Sequence, residues 1–455
     1  MRAKSSMSTF NRRRFLQSAA AVGAHLAFAP VGRSGETAKT DQINVALLGA
    51  GAHGMVLMDG CRRIAGVRFK AVCDIWEVYN LKRAARILEK YGHAVSAYTD
   101  YQQMLDQEKD LDAVIVATPD FWHARQAVAC LNKGLHVYCE SPISNTLEGG
   151  RSIVEAARKA GRLVQVGHQR RSNPRYVLCR EKLLNENRLL GQIVAVHGEW
   201  NRASQPPLGW PRLAGIDEAT LHKYGYKSME QFKNWRWYKG LGGGPLLSLG
   251  SLQIDVYNWF LGTRPTAVLA SGCTNYYRKE DFEWPDAVMA ICEYDTPQGP
   301  LRAYYQILSA NRSFGYFETF LGDQGALAIS EHSDRGEAYR EPEADVGPWT
   351  RCVEMGYLKS PVQLQPAERD YSLPMYIVVA ESPPPLKQPP YKLAVRMDKP
   401  YHQPHLENFF DAIRGRAKLN CPGQTGYETA VTVLKINEAL QAGRRIELKP
   451  GDFSV

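Results

Sequence analysis

Ile43-Asn44-Val45-Ala46-Leu47-Leu48-Gly49-Ala50-Gly51-Ala52-His53-Gly54 joins a short apolar segment to a turn with three closely spaced glycines. An apolar run of this length ending in glycine reads as a buried strand, and Met55 to Ile64 continues as a helix. Glycines 49, 51 and 54 permit a tight turn whose backbone amides reach a phosphate at the helix N-terminus. By itself the spacing is a weak signal, because a glycine-rich turn without a nucleotide looks the same. The residues that follow supply the context. Val67-Arg68-Phe69-Lys70-Ala71-Val72-Cys73 is a second strand, and it ends in Asp74, where a dinucleotide site places the acid for the adenine ribose hydroxyls. Ile75 and Trp76 come next, with no basic residue beside them to hold a 2′-phosphate. NAD is therefore expected rather than NADP.

The strand–helix alternation continues. Ala94 to Tyr98 reads as a third strand and Ala113 to Ala117 as a fourth, continuously apolar as a parallel strand covered on both faces is. Thr118-Pro119-Asp120 follows, then a helix from Trp122 to Lys133 stopped by Gly134. His136 to Cys139 is the fifth strand and runs into Glu140-Ser141-Pro142. Asn145 with Glu148 forms a capping-box pattern for a helix that reaches Ala160 and stops at Gly161. Leu163 to Val166 closes the set. Right-handed crossovers between such strands give a doubly wound parallel sheet of the Rossmann type over residues 42–166. Its ligands lie beyond the carboxyl ends of the strands. The expected cofactor contacts there are Gly49, Gly51, Ala52, His53, Gly54, Asp74, Thr118, Pro119, His123, Glu140, Ser141 and Pro142.

Composition narrows the alternatives. The 455 residues are 44% hydrophobic and 23% charged, as in an ordinary globular protein. Five of the nine excess positive charges (Arg2, Lys4, Arg12, Arg13, Arg14) lie in the first 29 residues, which hold no acid. The four that remain are too few for a nucleic-acid partner. The nine cysteines make no C-x-x-C pair, so neither a metal cluster nor a disulfide framework is expected. Asn11-Arg12-Arg13-Arg14-Phe15-Leu16-Gln17 before the alanine-rich Ser18 to Ala29 has the parts of a twin-arginine export signal, placing residues 1–41 as signal and linker. The expected destination is the periplasm, with the signal either removed or retained as an anchor. Elsewhere no run is long enough to span a membrane.

The motifs G-A-G-A-H-G, A-T-P-D-F-W-H, H-V-Y-C-E-S-P and V-G-H-Q-R-R, in this order, resemble those of the glucose–fructose oxidoreductase, inositol dehydrogenase and rhizopine-catabolism (Gfo/Idh/MocA) family. The resemblance covers most of the chain after Gln42. Asn234-Trp235-Arg236-Trp237-Tyr238, Gly242-Gly243-Gly244 and His405 to Arg414 extend it. It implies a Rossmann domain followed, over residues 167–455, by a domain with a large, mostly antiparallel open sheet, an α/β half joined to an α+β half. It also implies NAD or NADP between the two, a sugar or polyol substrate, and a homo-oligomer; a hetero-complex is the other assembly considered. Three departures fall on the family's reaction centre. The lysine of its E-K-P pattern is Ser141, the usual aspartate after the glycine run is Ser248, and the usual general-base histidine is Leu252. Asp255 keeps its place.

Leucine cannot take a hydroxyl proton, and an unactivated serine is a poor base. The proton must therefore pass to other side chains, or the chain binds without turnover. His168, one residue past the sixth strand, is the first candidate, with Tyr238 and Asp255 as further catalytic candidates. Arg170 and Arg236 are candidate substrate clamps, Arg236 with the aromatic rings around it suiting a sugar face. No Cys/His group has metal-ligand spacing, and no metal is expected. In the second domain, strands are expected at Ile193 to Glu199, Thr266 to Ser271, Asp286 to Tyr294, Leu301 to Leu308, Tyr316 to Leu321 and Ala326 to Ile329. Residues 331–400, with Ser382-Pro383-Pro384-Pro385 and Gln388-Pro389-Pro390, read as an irregular insertion. Two functions follow. One is an exported NAD-dependent oxidoreductase with a tightly held cofactor, acting on a sugar, polyol or glycoside. The other is a non-catalytic binding protein or complex subunit that retains the nucleotide.

Overall fold

Every residue of β1 (Ile43–Leu48) is buried, and so is every residue of β4 (Ala113–Val116). Their apolar runs fit the middle of a parallel sheet with both faces covered. The computed structural model describes residues 41–278, 282–361 and 389–455. In it β1 and β4 pair in parallel with β2 (Val67–Cys73), β3 (Ser96–Tyr98), β5 (His136–Cys139) and β6 (Val164–Val166) in the order β3-β2-β1-β4-β5-β6. Strand order reverses between β1 and β4, which opens a crevice at their carboxyl ends. Three helices border it: α1 (Ala52–Arg62), α2 (Asp120–Asn132) and α3 (Leu147–Ala160). The N-cap of α3 is Thr146, whose side chain accepts from the Gly149 amide. The capping box expected at Asn145 and Glu148 does not form, because Asn145 donates to the Leu241 carbonyl instead.

A ten-stranded sheet follows, built from β7 (Ile193–Asn201), β8 (Pro265–Cys273), β9 (Ala287–Thr296), β10 (Gly299–Leu308), β11 (Tyr316–Gly322), β12 (Gly325–Ile329), β13 (Gly336–Arg340), β14 (Leu358–Lys359), β15 (Tyr391–Leu393) and β16 (Ile446–Glu447). Within the described part of this sheet only β7 and β10 pair in parallel; its other pairings are antiparallel. The six strands expected from sequence are all present within a few residues. The stretch 331–400 differs from its expectation. It contributes β13, β14 and β15 to the sheet and a helix over Val346–Glu354 whose Trp349 and Cys352 are buried. Alternating small and aromatic residues such as Gly336 to Arg340 are short strand signals, easily lost beside prolines. The proline run at 382–385 and the export signal lie outside the described residues.

The boundary at residue 166 divides topology and not packing, since residues 42–455 form one compact unit. Helix α4 (Ser251–Leu261) lies under the large sheet. Helices α5 (Gln403–Ile413) and α6 (Gly423–Ala442) return to the parallel sheet. Leu406, Phe409 and Phe410 of α5 share a buried cluster with Val45 and Leu57. No described helix is long and apolar enough to cross a membrane. All nine cysteines are unpaired and eight are buried.

Arg170 ties the halves together. It leaves β6 in the turn Gln169–Ser172, fully buried. Its guanidinium pairs with Glu318 of β11 and lies 3.2 Å from Glu331. The Tyr176 hydroxyl donates to the second Glu318 oxygen at 2.7 Å. The rings of Tyr176, Trp200 and Tyr316 surround the cation with centroids 5.5 to 5.7 Å away. Arg170 is thus a buried joint and not the substrate clamp expected from its place at the sheet edge. Arg170→Ala would strand two buried carboxylates, and we expect a loss of about 3–5 kcal/mol in urea unfolding. A loss below about 1 kcal/mol would contradict the joint.

Candidate functional site

The glycine turn is held by backbone contact. Gly49 has φ +88°, and a Cβ there would lie 2.7 Å from the Ala117 carbonyl group. A Cβ on Gly54 would lie 1.9 Å from the Gly49 oxygen. Gly51 differs, with nothing within 4 Å of its Cβ position. The two outer glycines are therefore demanded by packing, while the middle one leaves open space at the N-terminus of α1, where a pyrophosphate fits. Asp74 braces the turn from β2, accepting from the Ala50 and Trp76 amides at 2.8 Å each. Burial pushes its carboxyl up to about 6 against those bonds, so at neutral pH it is mostly ionised and can still accept from a ribose.

A cavity of about 430 Å³ runs along this turn. Gly49, Gly51, Ala52, His53, Asp74, Thr118 and Pro119 line it, with Trp76, Tyr79 and Trp122 as aromatic walls. Arg83 and Lys233 also line it. Basic residues therefore do approach the Asp74 end, brought there by a helix and by the second half of the chain; Ile75 and Trp76 alone gave no sign of them. A second cavity of about 360 Å³ shares His53, Leu208, Lys233 and Arg236 with the first and extends beyond it. Ser141, Ser248 and Leu252 all line this second cavity. The three positions expected to depart from the family pattern are thus brought to one place, although 111 residues separate the outermost pair. The Ser248 hydroxyl donates to the Gly244 carbonyl at 3.1 Å, leaving it turned to its own helix.

Apart from the lysine and arginines on its wall, the titratable groups facing that space are His53, Glu140 and His402. His53 Nε2 is 3.1 Å from Glu140 Oε1, and the rings of His53 and His402 meet edge to face at 5.0 Å. Glu140 also accepts from the Ser141 amide at 3.1 Å. Burial opposes ionisation of Glu140, but His53 and His402 prevail and hold its carboxyl down at about 2. The Glu140 carboxylate raises His53 above its ordinary value, while burial lowers His402. Sequence reasoning found His53 and Glu140 through the glycine turn and the β5 end. It missed His402, which enters from the start of α5 and carries no local motif, and it missed Gln169 and Arg202.

Other candidates lie elsewhere. His168 is buried, with Nδ1 3.2 Å from Asp255 and 3.6 Å from the Cys421 sulfur. Arg171 donates to both Asp255 oxygens at 2.8 and 3.0 Å, and Thr429 donates to one at 2.9 Å. His168 and Asp255 line neither cavity. They form a closed ion-pair network, away from the cavities that the catalytic candidates His168 and Asp255 were expected to face. Donor atoms of His168, Asp255 and Cys421 fall within 4.8 Å of one another, but the Arg171 guanidinium already supplies the cation. His123 is buried, and its two ring nitrogens face the carbonyls of Pro142 and Thr118 at 2.9 and 2.8 Å. It ties the two loops under the cleft without lining either cavity. Tyr238 packs beside the cluster around Trp76 and Leu241 and also stays out of the lining. Asp120, overlooked in the A-T-P-D-F-W-H motif, is buried at the start of α2, where burial lifts its carboxyl to about 7.

A parallel sheet with a glycine-turn crevice, its mouth closed by residues from a mostly antiparallel sheet domain, defines a dinucleotide-binding protein. Two family models match: an oxidoreductase family with NAD-binding Rossmann fold over residues 43–168, and the GFO/IDH/MocA C-terminal domain over residues 182–306. The chain belongs to the Gfo/Idh/MocA family, and its first domain is an NAD-binding Rossmann domain. It is 36% identical over 176 residues to inositol 2-dehydrogenase of Salmonella typhimurium, covering 37% of this chain and 50% of that protein. It is 32% identical over 170 residues to 4-carboxy-2-hydroxymuconate-6-semialdehyde dehydrogenase of Sphingobium sp., covering 37% and 52%. The chain thus spans about half the length of the curated relatives it matches. The fold is that of WlbA dehydrogenase from Bordetella pertussis, solved with NADH and UDP-GlcNAcA (TM-score 0.64, 18% identity, 90% of this chain and 98% of that one). Aldose-aldose oxidoreductase from Caulobacter crescentus shares it (TM-score 0.63, 18% identity, 90% and 100%).

The enclosed network has its own pH signature. Burial works against a charged His168, but Asp255 overrides it and raises His168 from 6.5 to about 10. A raised value means stability present below pH 6.5 and lost as pH climbs toward 10. We expect the urea midpoint of the parent protein to fall between pH 7 and 10 more steeply than that of His168→Gln. Parallel curves for the two proteins would show that His168 is not held as an imidazolium.

Proposed function

We propose that this protein is an NAD-dependent oxidoreductase acting on a hydroxyl of a sugar, polyol or glycoside, with His53, Glu140 and His402 carrying the proton. The observation behind this reading is the convergence of Ser141, Ser248 and Leu252 with those three groups on one cavity that continues the glycine-turn cavity. Bound NAD supplies the hydride acceptor. His402, kept neutral at pH 7 by burial and by the neighbouring His53, takes the hydroxyl proton. Glu140 holds His53 toward its imidazolium form, which polarises the same site. Asp74 favours NAD, since its carboxylate would face a 2′-phosphate. Relatives and fold neighbours, among them inositol 2-dehydrogenase and levoglucosan dehydrogenase, support the substrate class.

Leu252 favours one competing reading, a subunit that keeps NAD without turning it over. Denaturing the purified protein should release NAD, and sugars should reduce the bound nicotinamide. His402→Ala should then slow turnover by about 10² while NAD is retained. A parent protein that keeps its NAD unreduced through a panel of sugars and polyols would decide for the non-catalytic subunit.

We also propose that the Arg12-Arg13 segment exports the chain after folding, so that NAD is loaded in the cytoplasm and carried out tightly held. Replacing Arg12 and Arg13 by lysine should leave the protein in the cytoplasm. An unchanged periplasmic yield of the double variant would defeat the twin-arginine reading.

A further inference from the structure

The second cavity carries an imbalance of charge. Three cations line it, Arg202, Lys233 and Arg236, against one carboxylate, Glu140. Glu140 is already engaged by His53 at 3.1 Å and by the Ser141 amide at 3.1 Å. Arg202 stands just past the end of β7, its amide bonded to the Leu308 carbonyl at 3.0 Å. Its Nε is buried and has no hydrogen-bond partner. Arg236 sits in the turn Trp235–Trp237 with its guanidinium 4.2 Å from the Trp235 ring centroid. Neither arginine has an acid within ion-pair distance among the described residues. Among the charges around it Arg236 feels the Asp120 carboxyl most, then Arg202 and Glu140, so the two arginines share one electrostatic neighbourhood.

Arg236 is exposed and Arg202 half-buried; the buried Arg202 Nε has given up hydration that no protein group returns. Two arginines held on separate rigid elements, facing one space, match the planar geometry of an oxyanion. The cofactor's own phosphates do not account for Arg202, whereas Arg236 and Lys233 line both cavities. A pyrophosphate belongs at Gly51 and the start of α1, in the first cavity, which Arg202 does not line. We propose that the substrate is an anionic sugar or polyol, whose carboxylate or phosphate is held between Arg202 and Arg236. Lys233 adds long-range attraction, and the Gln169 and Gln205 amides on the same lining can meet neighbouring hydroxyls. This rests on the oxidoreductase reading for the identity of the site, and it adds the charge of the molecule the site takes.

The test is binding to the NAD-loaded, full-length protein at low salt, followed by calorimetry or by the fluorescence of the tryptophans beside the cavity. Glucuronate, glucose 6-phosphate and glucose serve as probes of one ring size. At least one anion should bind about tenfold tighter than glucose, and which one does so separates a carboxylate from a phosphate site. The preference should shrink with added salt and vanish in Arg202→Gln, while Arg202→Lys keeps part of it. The lysine variant and the salt series stand in where the glutamine variant fails to fold. Equal binding of glucose and both anions, no binding of either anion, or a preference untouched in a folded Arg202→Gln would overturn the proposal. Oxidation of neutral sugars without any anion preference removes this inference and leaves the oxidoreductase reading. Anion-selective binding with the nicotinamide unchanged does the reverse.

Discussion

The crevice exists because two pieces of backbone touch with no side chain between them. The Gly49 carbonyl lies where a methyl on Gly54 would be, 1.9 Å from that Cβ position. Only this closeness brings the start of α1 against the ends of β1 and β4. From it follow the open space at Gly51, the aim of the helix N-terminus, and the projection of His53 toward Glu140 at 3.1 Å. Asp74 secures the arrangement by binding the Ala50 amide from the next strand. Ligand site and sheet topology are thus one feature, with the turn fixed by sterics and the acid by hydrogen bonds.

That local logic is why the first half was legible. Each signal lay within a dozen residues: an apolar strand, a glycine or proline turn, an amphipathic helix. The order of six strands and the identity of the lining at Gly49 to His53, Asp74, Thr118 and Pro119 all came from such neighbours. The large sheet was legible as strands but not as an arrangement, because pairing β7 with both β10 and β11 is a tertiary matter. Within 331–400, short strands take their stability from the sheet edge they join and have little periodicity of their own.

The misplaced site residues share one physical cause. His168, Arg170 and Asp255 are charged or titratable groups near the carboxyl edge, and such groups are usually at the surface or in a site. Here each finds a partner far along the chain: Asp255 for His168, Glu318 and Glu331 for Arg170, Arg171 and Thr429 for Asp255. Opposite charges 84 to 161 residues apart carry no spacing signal. A buried charge with a buried partner resembles a catalytic residue in sequence and becomes a joint in structure. His402 and Arg202 are the converse. They belong to no motif near the glycine turn, yet the return of α5 and the exit of β7 set them on the cavity wall.

The residues at 141, 248 and 252, read from the sequence as departures from the family pattern, gain a reason from this wall. Arg202, Lys233 and Arg236 already give the cavity an excess of positive charge over Glu140. A lysine in place of Ser141 would add a fourth cation beside Glu140, whose charge His53 already shares. Like charges in a partly desolvated space repel strongly, so a neutral residue at position 141 is the arrangement with less strain. At position 252 a histidine would be held in its neutral form by the same charges, repeating the neutral imidazole that His402 already provides on this wall. A small hydroxyl at 141, a hydroxyl tied back to Gly244 at 248, and an apolar side chain at 252 keep that side uncharged. The proton-handling groups then stand together at His53, Glu140 and His402, and the arginines stay free to meet a ligand.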